Sequence, residues 1–409
     1  MSSAPPAVPA GAPGPTVYRA AVVHTGHRSL EPGWVAVVDG SVAAVGAGSP
    51  DAAWAAAEHV DLGGLTVVPG FVDLHCHGGG GAAFGAGVDA ATVVRDARVV
   101  AATHRAHGTT TLVASLVTAP LEQLHASVLA LAPLVEGGEL AGVHLEGPWL
   151  SPLHRGAHAP ALLREPLLDD VDLLLGARPG VVAVVTIAPE LPGGLEAVRR
   201  IVEHGAVAAI GHTDADAATA VAAVDAGATL ATHLFNAMPP VHHRAPGPVL
   251  ALLEDHRVTV ELIADGVHLH PLTIQHAARS AGPRRTALVT DAMAATGVAD
   301  GEYLLGTLVV DVLDGVARVR DDGAIAGSTL TLDRALQGAV AAGVSFEDAV
   351  AALTATPARV LGRTDVGTLE PGARADLVVL DEALAVVAVV QGGRSVEVAA
   401  PAVHQASQG

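Results

Sequence analysis

Thr66–His77 reads TVVPGFVDLHCH, and four glycines follow it directly. Its apolar residues predict a strand over 67–75, and alternate residues of a strand point to the same side. His75 and His77 would therefore leave the strand end side by side, as two ligands of one metal do, with Cys76 facing the other way. Two histidines hydrogen-bonded to loop carbonyls are an equally good interpretation of this pair alone, so the rest of the chain has to decide.

Seven more apolar runs of strand length follow, and segments of helical period, such as 89–106, 214–226 and 271–280, separate most of them. The complete set of predicted strands lies near 67–75, 110–117, 141–146, 182–187, 207–211, 229–234, 258–264 and 286–290. Eight β–α units over this length predict a TIM barrel. An open, doubly wound sheet is the alternative, although no glycine-rich turn of the dinucleotide-binding kind is present.

Both ends of the chain flank the barrel with other elements. Strands are predicted at Ala20–His24, Trp34–Val38, Ser41–Val45, Arg374–Leu380 and Val386–Val390, with a hairpin at 302–320 and helices near 329–341 and 346–361. We therefore expect an α/β fold in which a (β/α)8 barrel at 67–362 lies beside a small β-sandwich formed by 16–66 together with 363–402. Residues 1–15, rich in Pro, Ala and Gly, are expected to form a disordered tail.

The composition excludes several classes of protein and site. A net charge of −20 argues against nucleic acid as a partner, because phosphates need a positive surface. All 22 basic residues are arginine, which excludes a Schiff-base lysine, a P-loop lysine and a carbamylated lysine between two metals. Cys76 is the single cysteine, so an internal disulfide and a cysteine-rich zinc site are excluded. With neither a signal-peptide pattern nor an apolar run of membrane-spanning length, we expect a cytoplasmic protein without membrane contact.

Polar side chains follow five of the predicted strands at the point where each strand ends. These strand-end motifs are His75-Cys76-His77, His144-Leu145-Glu146-Gly147-Pro148, Gly211-His212-Thr213, Thr232-His233-Leu234-Phe235-Asn236-Ala237-Met238 and Thr290-Asp291-Ala292. Because a TIM barrel carries its active site at the carboxyl ends of its strands, these side chains should meet at one rim. Histidine, glutamate and aspartate together predict a divalent metal site, which suits zinc, iron, manganese or cobalt.

These motifs carry a specific resemblance that covers about 60–375. The chain resembles the amidohydrolase superfamily and, within it, the deacetylases that act on N-acetylglucosamine 6-phosphate. Further matching motifs are Gly156-Ala157-His158, Arg244, Ala264-Asp265-Gly266-Val267-His268 and Ala326-Gly327-Ser328. The resemblance implies that the chain removes the acetyl group from N-acetylglucosamine 6-phosphate and releases glucosamine 6-phosphate and acetate. The split β-sandwich of this family agrees with the strands expected at the two chain ends.

The resemblance also implies a ligand set. Glu146, His212 and His233 correspond to the residues that bind one divalent metal in this family. Some members lack the histidine pair, whereas this chain keeps His75 and His77, so a second metal bridged by Glu146 is expected. One or two metals per chain are therefore implied, with zinc as the first choice before iron, manganese and cobalt.

The resemblance assigns the chemistry and the substrate contacts as well. Asp291 resembles the catalytic acid and base beside the metal and is also expected to be a metal ligand. His158 resembles the residue that steadies the substrate near the reacting carbonyl. The residues that match the family's contacts to the phosphate end of the sugar are Asn236, Ala237, Arg244 and His268. In the family, the loop that carries the arginine can reach the neighbouring subunit's site, so a homodimer is implied.

Other interpretations stay open where single residues are considered alone. Glu146 and Asp291 can cap a loop or a helix, His212 can lie next to a helix N-cap, and Arg244 and His268 can be solvated charges. Another phosphorylated N-acetyl amino sugar, such as the galactosamine type, is an alternative substrate, and non-catalytic sugar-phosphate binding is an alternative function. The histidines expected at the surface, without a role, are His24, His27, His104, His107, His125, His204, His256 and His276.

Overall fold

The structure is a computed structural model that describes residues 14–86 and 89–398. The expected disordered tail at 1–15 lies almost entirely outside the described residues. The described chain begins with seven strands: β1 (Thr16–Ala20), β2 (Val22–His24), β3 (Ser29–Leu30), β4 (Gly33–Val38), β5 (Ser41–Ala47), β6 (Glu58–Asp61) and β7 (Thr66–Pro69).

Alternating strands and helices follow. They are β8 (Phe71–Asp73), β9 (Gly78–Gly79), β10 (Ala82–Ala83), α1 (Ala90–Arg105), β11 (Thr109–Val117), α2 (Leu121–Glu136), β12 (Gly142–Glu146), α3 (Leu168–Gly176), β13 (Val182–Ile187), α4 (Gly194–Glu203), β14 (Val207–Ile210), α5 (Ala217–Asp225), β15 (Leu230–Ala231), α6 (Gly247–Glu254), β16 (Thr259–Leu262), α7 (Pro271–Ala281) and β17 (Thr286–Leu288). The last elements are β18 (Gly301–Leu305), β19 (Leu308–Leu313), β20 (Val316–Val319), α8 (Leu332–Ala341), α9 (Phe346–Leu353), α10 (Ala355–Val360), β21 (Leu377–Leu380), β22 (Val386–Gln391) and β23 (Arg394–Val396).

The predicted TIM barrel is confirmed. Eight strands form one parallel sheet in the order β17-β16-β15-β14-β13-β12-β11-β8, with helices in the connections. Each of these strands falls within or beside one of the eight predicted strand segments. The barrel core is built mainly of Ala, Val, Leu and Ile, with Phe71, Phe84 and Trp149 as buried aromatic members, in keeping with an aromatic content of 2%.

The first and last barrel strands join at the rim where the polar residues collect. The backbone N–H of Asp291 donates to the carbonyl of His75 (2.8 Å), and the N–H of His77 donates to the carbonyl of Ala292 (2.8 Å). Below them, the Thr290 hydroxyl donates to the buried Asp73 carboxylate (2.6 Å). The hydrogen bonds between the two strand ends therefore also fix Asp291 relative to the histidine pair.

The small β domain is also confirmed. A six-stranded sheet, β23-β22-β21-β7-β2-β3, combines strands from both chain ends, and a four-stranded sheet, β5-β4-β1-β6, comes from the N-terminal part. Buried Val35, Val67 and Leu377 belong to the hydrophobic cluster that these sheets share. Side chains from two sheets that interleave in this way form the core of a sandwich.

One predicted strand, 67–75, is divided between the two domains. Its first part, β7, pairs with β2 and β21 in the sandwich, whereas its second part, β8, pairs with β11 in the barrel. Gly70 separates them, and a Cβ at this position would collide with the Thr110 side chain. The prediction of one continuous strand is wrong because the apolar run serves two cores in succession.

The segment predicted as a hairpin at 302–320 forms a three-stranded meander, β18–β20. Leu305 and Val310 of the meander share a buried cluster with Ala157 and Met293, which lie in loops at the barrel mouth. The meander therefore covers one side of the mouth.

Two histidines that were expected at the surface are buried, namely His24 and His104. His104 belongs to the inner face of α1 together with Val93, Ala97 and Val100, a spacing of three and four residues that indicates one buried helix face. Its Nε2 lies 2.9 Å from the Gly78 carbonyl and 3.2 Å from the Cys76 sulfur.

None of the helices in the described part of the chain combines the length and the apolar character needed to cross a bilayer.

Candidate metal centre

The strand-end residues singled out in the sequence converge on one cavity of about 370 Å³ at the barrel mouth. Its wall contains His77, Glu146, His158, His212, His233, Asn236, Ala237, His268 and Asp291. His75 lies directly beneath this group and is completely buried. The structure thus brings together all the predicted site residues except Arg244.

Glu146 lies at the centre of the cluster. Its Oε1 is 3.1 Å from Nε2 of both His212 and His233, and the two Nε2 atoms are 3.0 Å apart. Its Oε2 is 3.1 Å from His77 Nε2 and 3.3 Å from His158 Nε2. One carboxylate therefore presents its two oxygens to two different groups of imidazoles.

The second group combines the histidine pair with Asp291. The Nε2 atoms of His75 and His77 are 3.0 Å apart, and Asp291 Oδ1 lies 3.4 Å and 3.3 Å from them. His75 Nε2 is also 3.4 Å from Glu146 Oε1. Asp291 does not cap a helix, because it lies in the rim turn that follows β17.

The outward nitrogens of the imidazoles fix their tautomers. His212 Nδ1 donates to the His154 carbonyl (2.9 Å), His77 Nδ1 donates to the Ser115 carbonyl (3.2 Å), and His75 Nδ1 donates to Glu261 (3.3 Å). Since Nδ1 carries the proton in each case, the neutral ring directs the lone pair of Nε2 into the cavity. Lone pairs only 3.0 Å apart repel each other unless a cation lies between them, so this donor set fits a divalent metal.

The electrostatics of the cluster favour a cation at the same place. Burial lowers the pKa of His75 and His77, but Glu146 and Asp291 outweigh it and raise the pKa of both imidazoles. The carboxylates thus favour a positive charge at Nε2 of these rings, either a proton or a metal ion bound in its place. Burial likewise raises the pKa of Glu146 and Asp291, but the surrounding imidazoles hold both carboxyl pKa values below their usual range. Both carboxylates are therefore ionised and draw positive charge into the cavity.

His158 has the opposite tautomer. The backbone N–H of Thr118 donates to His158 Nδ1 (3.4 Å), so the proton of the neutral ring lies on Nε2, which faces Glu146 and the cavity. Burial lowers the pKa of His158 and keeps the ring neutral. This side chain offers a hydrogen-bond donor rather than a lone pair, which suits a substrate oxygen better than a metal.

Five of the rim residues have a positive φ, namely His212 at 48°, His233 at 26°, Phe235 at 80°, Ala237 at 49° and Asp291 at 49°. A residue other than glycine rarely adopts this conformation, which costs of order 1–3 kcal/mol and occurs mainly at functional sites. Each of them comes directly after a strand or in the turn that follows it, where the chain bends sharply across the barrel mouth.

Of the four residues that the resemblance assigns to phosphate binding, three lie at the cavity and one does not. His268, Asn236 and Ala237 line the cavity, and His268 Nδ1 donates to Asp265 Oδ2 (2.7 Å). Burial lowers the pKa of His268, but Asp265 outweighs it, so the pKa of the imidazole is raised and its protonated form is favoured. Arg244 lies outside the cavity on an exposed loop, where its guanidinium contacts His243 (2.7 Å).

Sequence reasoning missed the residues that support the cluster. Glu261, which is 1% exposed, accepts hydrogen bonds from His75 Nδ1 and from the backbone N–H of His233 (3.2 Å). His144, left without a role in the sequence, has its two ring nitrogens against Ser115 (2.9 Å) and Thr186 (2.8 Å) and so faces no metal position. A carboxylate at the end of β16 continues the pattern of the other strand ends and is a signal that could have identified Glu261.

Comparisons with known proteins agree with this geometry. The model of the amidohydrolase family matches residues 66–401. The N-acetylglucosamine-6-phosphate deacetylase of Bos taurus is 40% identical over 352 residues, which are 83% of this chain and 85% of that protein. The N-acetylgalactosamine-6-phosphate deacetylase of Escherichia coli O157:H7 is 38% identical over 323 residues, 77% of this chain and 84% of that protein.

Solved structures give the same result. An aspartate-to-alanine variant of the N-acetyl-D-glucosamine-6-phosphate deacetylase of Mycobacterium smegmatis, in complex with N-acetyl-D-glucosamine 6-phosphate, is 49% identical with a TM-score of 0.89. That comparison covers 94% of this chain and all of the other. The N-acetylglucosamine-6-phosphate deacetylase of Thermotoga maritima is 30% identical with a TM-score of 0.82, covering 92% of this chain and 98% of the other.

Proposed function

Because the chain belongs to the amidohydrolase family, we propose that its rim cluster hydrolyses the acetamide of N-acetylglucosamine 6-phosphate to glucosamine 6-phosphate and acetate. The observation that carries this proposal is the close approach of the Nε2 atoms of four histidines to one another and to two ionised carboxylates inside one cavity. A binding protein for a sugar phosphate needs no such cluster, so the arrangement supports an enzyme over the non-catalytic alternative.

The arrangement of the cluster supports two metal positions. Glu146 Oε1, His212 and His233 would hold one divalent ion, and His75, His77, Asp291 and Glu146 Oε2 would hold a second. A divalent metal bound there lowers the pKa of a water molecule and polarises the amide carbonyl. We propose zinc, because nitrogen-rich ligand sets of this kind suit it, with iron, manganese and cobalt as alternatives.

The proton transfers fall to Asp291. Its carboxylate, ionised in this cavity, accepts a proton from the attacking water and then donates it to the departing amine, which is otherwise a poor leaving group. The Nε2–H of His158 points into the same cavity and would donate to the amide oxygen as negative charge develops there. Asp291 lies against the histidine pair and His158 lies against Glu146, so the amide group would be held between Asp291 and His158.

The phosphate would bind at the far side of the cavity. Protonated His268 would donate to a phosphate oxygen, together with the Asn236 side chain and the backbone of Ala237. Arg244 lies outside its own cavity, which supports its contribution from a second subunit. We therefore propose a homodimer in which Arg244 completes the phosphate site of the partner subunit.

The identity with the Escherichia coli relative favours a second candidate substrate, N-acetylgalactosamine 6-phosphate. The two sugars differ in the orientation of one ring hydroxyl. None of the residues named above has a proposed contact with that hydroxyl. Measurement of kcat/KM for the gluco, galacto and manno epimers of the phosphorylated sugar separates these candidates.

The variant Asp291→Asn tests the proposed reaction. It keeps the size of the side chain but removes the proton acceptor, so we expect kcat to fall by about 10²- to 10⁴-fold with folding unchanged. Metal analysis of the purified chain, before and after zinc is added, gives the stoichiometry. Hydrolysis near the wild-type rate in D291N would overturn the proposed mechanism, and one metal per saturated chain would overturn the second metal position.

A further inference from the structure

A second, smaller cavity adjoins the metal centre, and its walls carry no assigned role. This cavity, here called the side pocket, measures about 90 Å³ and lies beside His77. Its wall and that of the main cavity share His77, Val117 and Leu305, so the two spaces meet at these residues. It is enclosed by the loop after β10, the carboxyl end of β11, the start of α2 and the β18–β19 turn.

Apolar residues predominate in the wall of the side pocket, which also contains Ser115, Thr118, Gln123, Ser127 and Thr307. Buried Phe84, Leu116 and Leu124 line it together with half-buried Ala119. Among the described residues of its wall, no carboxylate or guanidinium is present. Such a space suits a short hydrocarbon group rather than a hydroxylated sugar or a phosphate.

The position of the side pocket relative to the phosphate residues defines what can enter it. Asn236 and His268 follow β15 and β16, the sixth and seventh strands of the barrel, whereas the side pocket lies over the first and second. In a barrel of eight strands, the second lies directly across the mouth from the sixth. In an amide, the nitrogen and the acyl chain extend from opposite sides of the carbonyl carbon. A sugar bound toward the sixth strand therefore directs its acyl chain toward the second.

We propose that the side pocket is the acyl subsite, and that it accepts N-acyl chains longer than acetyl. This inference rests on the proposed function. The chemistry is that of the acetyl reaction. Water supplies the oxygen of the new C–O bond, the C–N bond breaks, the amine takes up a proton, and the chain leaves as propionate or butyrate. The substrate class is thus the short-chain N-acyl glucosamine 6-phosphates.

The acyl-chain series of N-acetyl, N-propionyl and N-butyryl glucosamine 6-phosphate tests the proposal with the zinc-loaded enzyme. A pocket that ended at the acetyl methyl would reject one extra methylene by roughly 10- to 200-fold. A pocket with room would instead gain up to about fourfold for each methylene that it buries. We therefore expect kcat/KM for the N-propionyl substrate to be no more than about fourfold below the N-acetyl value, or to exceed that value.

Two variants change the pocket in opposite directions. Ala119→Leu fills it and should lower kcat/KM for the N-butyryl substrate about tenfold more than for the N-acetyl substrate. Leu124→Ala widens it and should raise the ratio of butyryl to acetyl turnover. The matched control is Ala177→Leu, another half-buried alanine packed on the barrel core, at the end of α3 and outside both cavities. It should leave the ratio unchanged.

The outcomes separate this proposal from the function on which it rests. If the zinc-loaded wild-type enzyme hydrolysed none of the three substrates, including the N-acetyl one, the result would contradict the proposed function. Rapid acetyl turnover with strong rejection of the propionyl substrate would overturn the acyl subsite alone. The same holds if Ala119→Leu and Leu124→Ala, both verified by thermal melting to be folded, give the acyl preference of the wild type.

Discussion

Glu261 is a residue that supports the metal centre and that the sequence analysis did not identify. Its carboxylate accepts a hydrogen bond from Nδ1–H of His75, which leaves the Nε2 lone pair directed into the cavity. Outer carboxylates of this kind typically change metal affinity by about 10- to 100-fold. We expect Glu261→Gln to weaken zinc binding at the position formed by His75 and His77 by a similar factor. Metal counts after dialysis against a graded chelator measure it.

A control for this prediction is Glu165→Gln, which removes the same charge from an exposed position. It should retain the wild-type zinc content at every chelator concentration. If Glu261→Gln also retains it, Glu261 supports the fold and has no part in metal binding.

The pH dependence of substrate binding should depend on Asp265. Because Asp265 raises the pKa of His268 against the effect of burial, the imidazolium persists to higher pH, and phosphate binding weakens only above that raised pKa. In Asp265→Asn, burial dominates, the pKa of His268 falls, and the proton is lost at lower pH. KM should then rise roughly tenfold near neutral pH and approach the wild-type value in acid, as expected for the loss of one charged hydrogen bond.

The measurement is KM across a pH series for both proteins. Identical profiles for wild type and D265N would show that His268 does not bind the phosphate as a cation. N-acetylglucosamine without phosphate serves as the reference substrate, since its KM should not depend on Asp265.

For single residues, the sequence predicted which side chains lie together at the barrel rim but not how those side chains are oriented. His77, Glu146, His212 and Asp291 could be placed at one rim because each follows an apolar strand. Their tautomers depend on carbonyls and carboxylates far away in sequence, such as the His154 carbonyl below His212, and no local pattern specifies those contacts. The burial of His104 was missed although its helical spacing indicates it.

The loop between β20 and α8 is the element that fixes the catalytic turn. A Cβ on Gly327 would lie 2.8 Å from the Asp291 carbonyl, and Gly327 has φ +61°. The next residue, Ser328, donates its N–H to that same carbonyl (2.7 Å). We expect Gly327→Ala to displace Asp291 and to lower kcat by at least about tenfold, as small shifts of a catalytic group do.

Gly323→Ala separates this effect from the general strain of a left-handed backbone. Gly323 has φ +73°, but no atom lies within 4 Å of a Cβ built on it. Gly323→Ala should lose about 1–2 kcal/mol of stability by thermal melting from the left-handed backbone alone, and Gly327→Ala should lose more because of the added clash. Only Gly327→Ala should lose activity. Equal kcat values in the two variants would contradict a role of Gly327 in placing Asp291.

The elements themselves were predictable to different degrees. The eight barrel strands stand out as apolar runs because the surrounding helices bury one face of the sheet and the barrel interior buries the other, and strands buried on both faces lack alternation. The meander was predicted with two strands rather than three, since β20 is short and alternates buried with exposed residues. The division of 67–75 at Gly70 needs knowledge of Thr110, which belongs to another strand.

For the whole molecule, we propose the division into a sandwich at 16–66 with 363–402 and a catalytic barrel at 67–362. The described sheets agree with the idea that both chain ends build one domain, although β7 takes Thr66–Pro69 into the sandwich. Since every proposed catalytic group lies in the barrel, the sandwich would act on the reaction through the strand that continues from β7 into β8 and through contacts such as those of Arg374 and Gln391 with the start of β11.

The proposed dimer leads to a prediction that can be tested only on the assembled dimer. If Arg244 serves the partner's cavity, Arg244→Ala should raise KM about tenfold or more, the effect of losing a charged hydrogen bond. Asp291→Asn should lower kcat by about 10²- to 10⁴-fold, as above. In a mixed dimer of the two variants, the subunit with intact Asp291 receives the intact Arg244 of its partner. That one site should regain the wild-type KM, with about half the wild-type kcat per dimer. If Arg244 acts within its own subunit, the mixed dimer contains no complete site, and its KM should equal that of R244A.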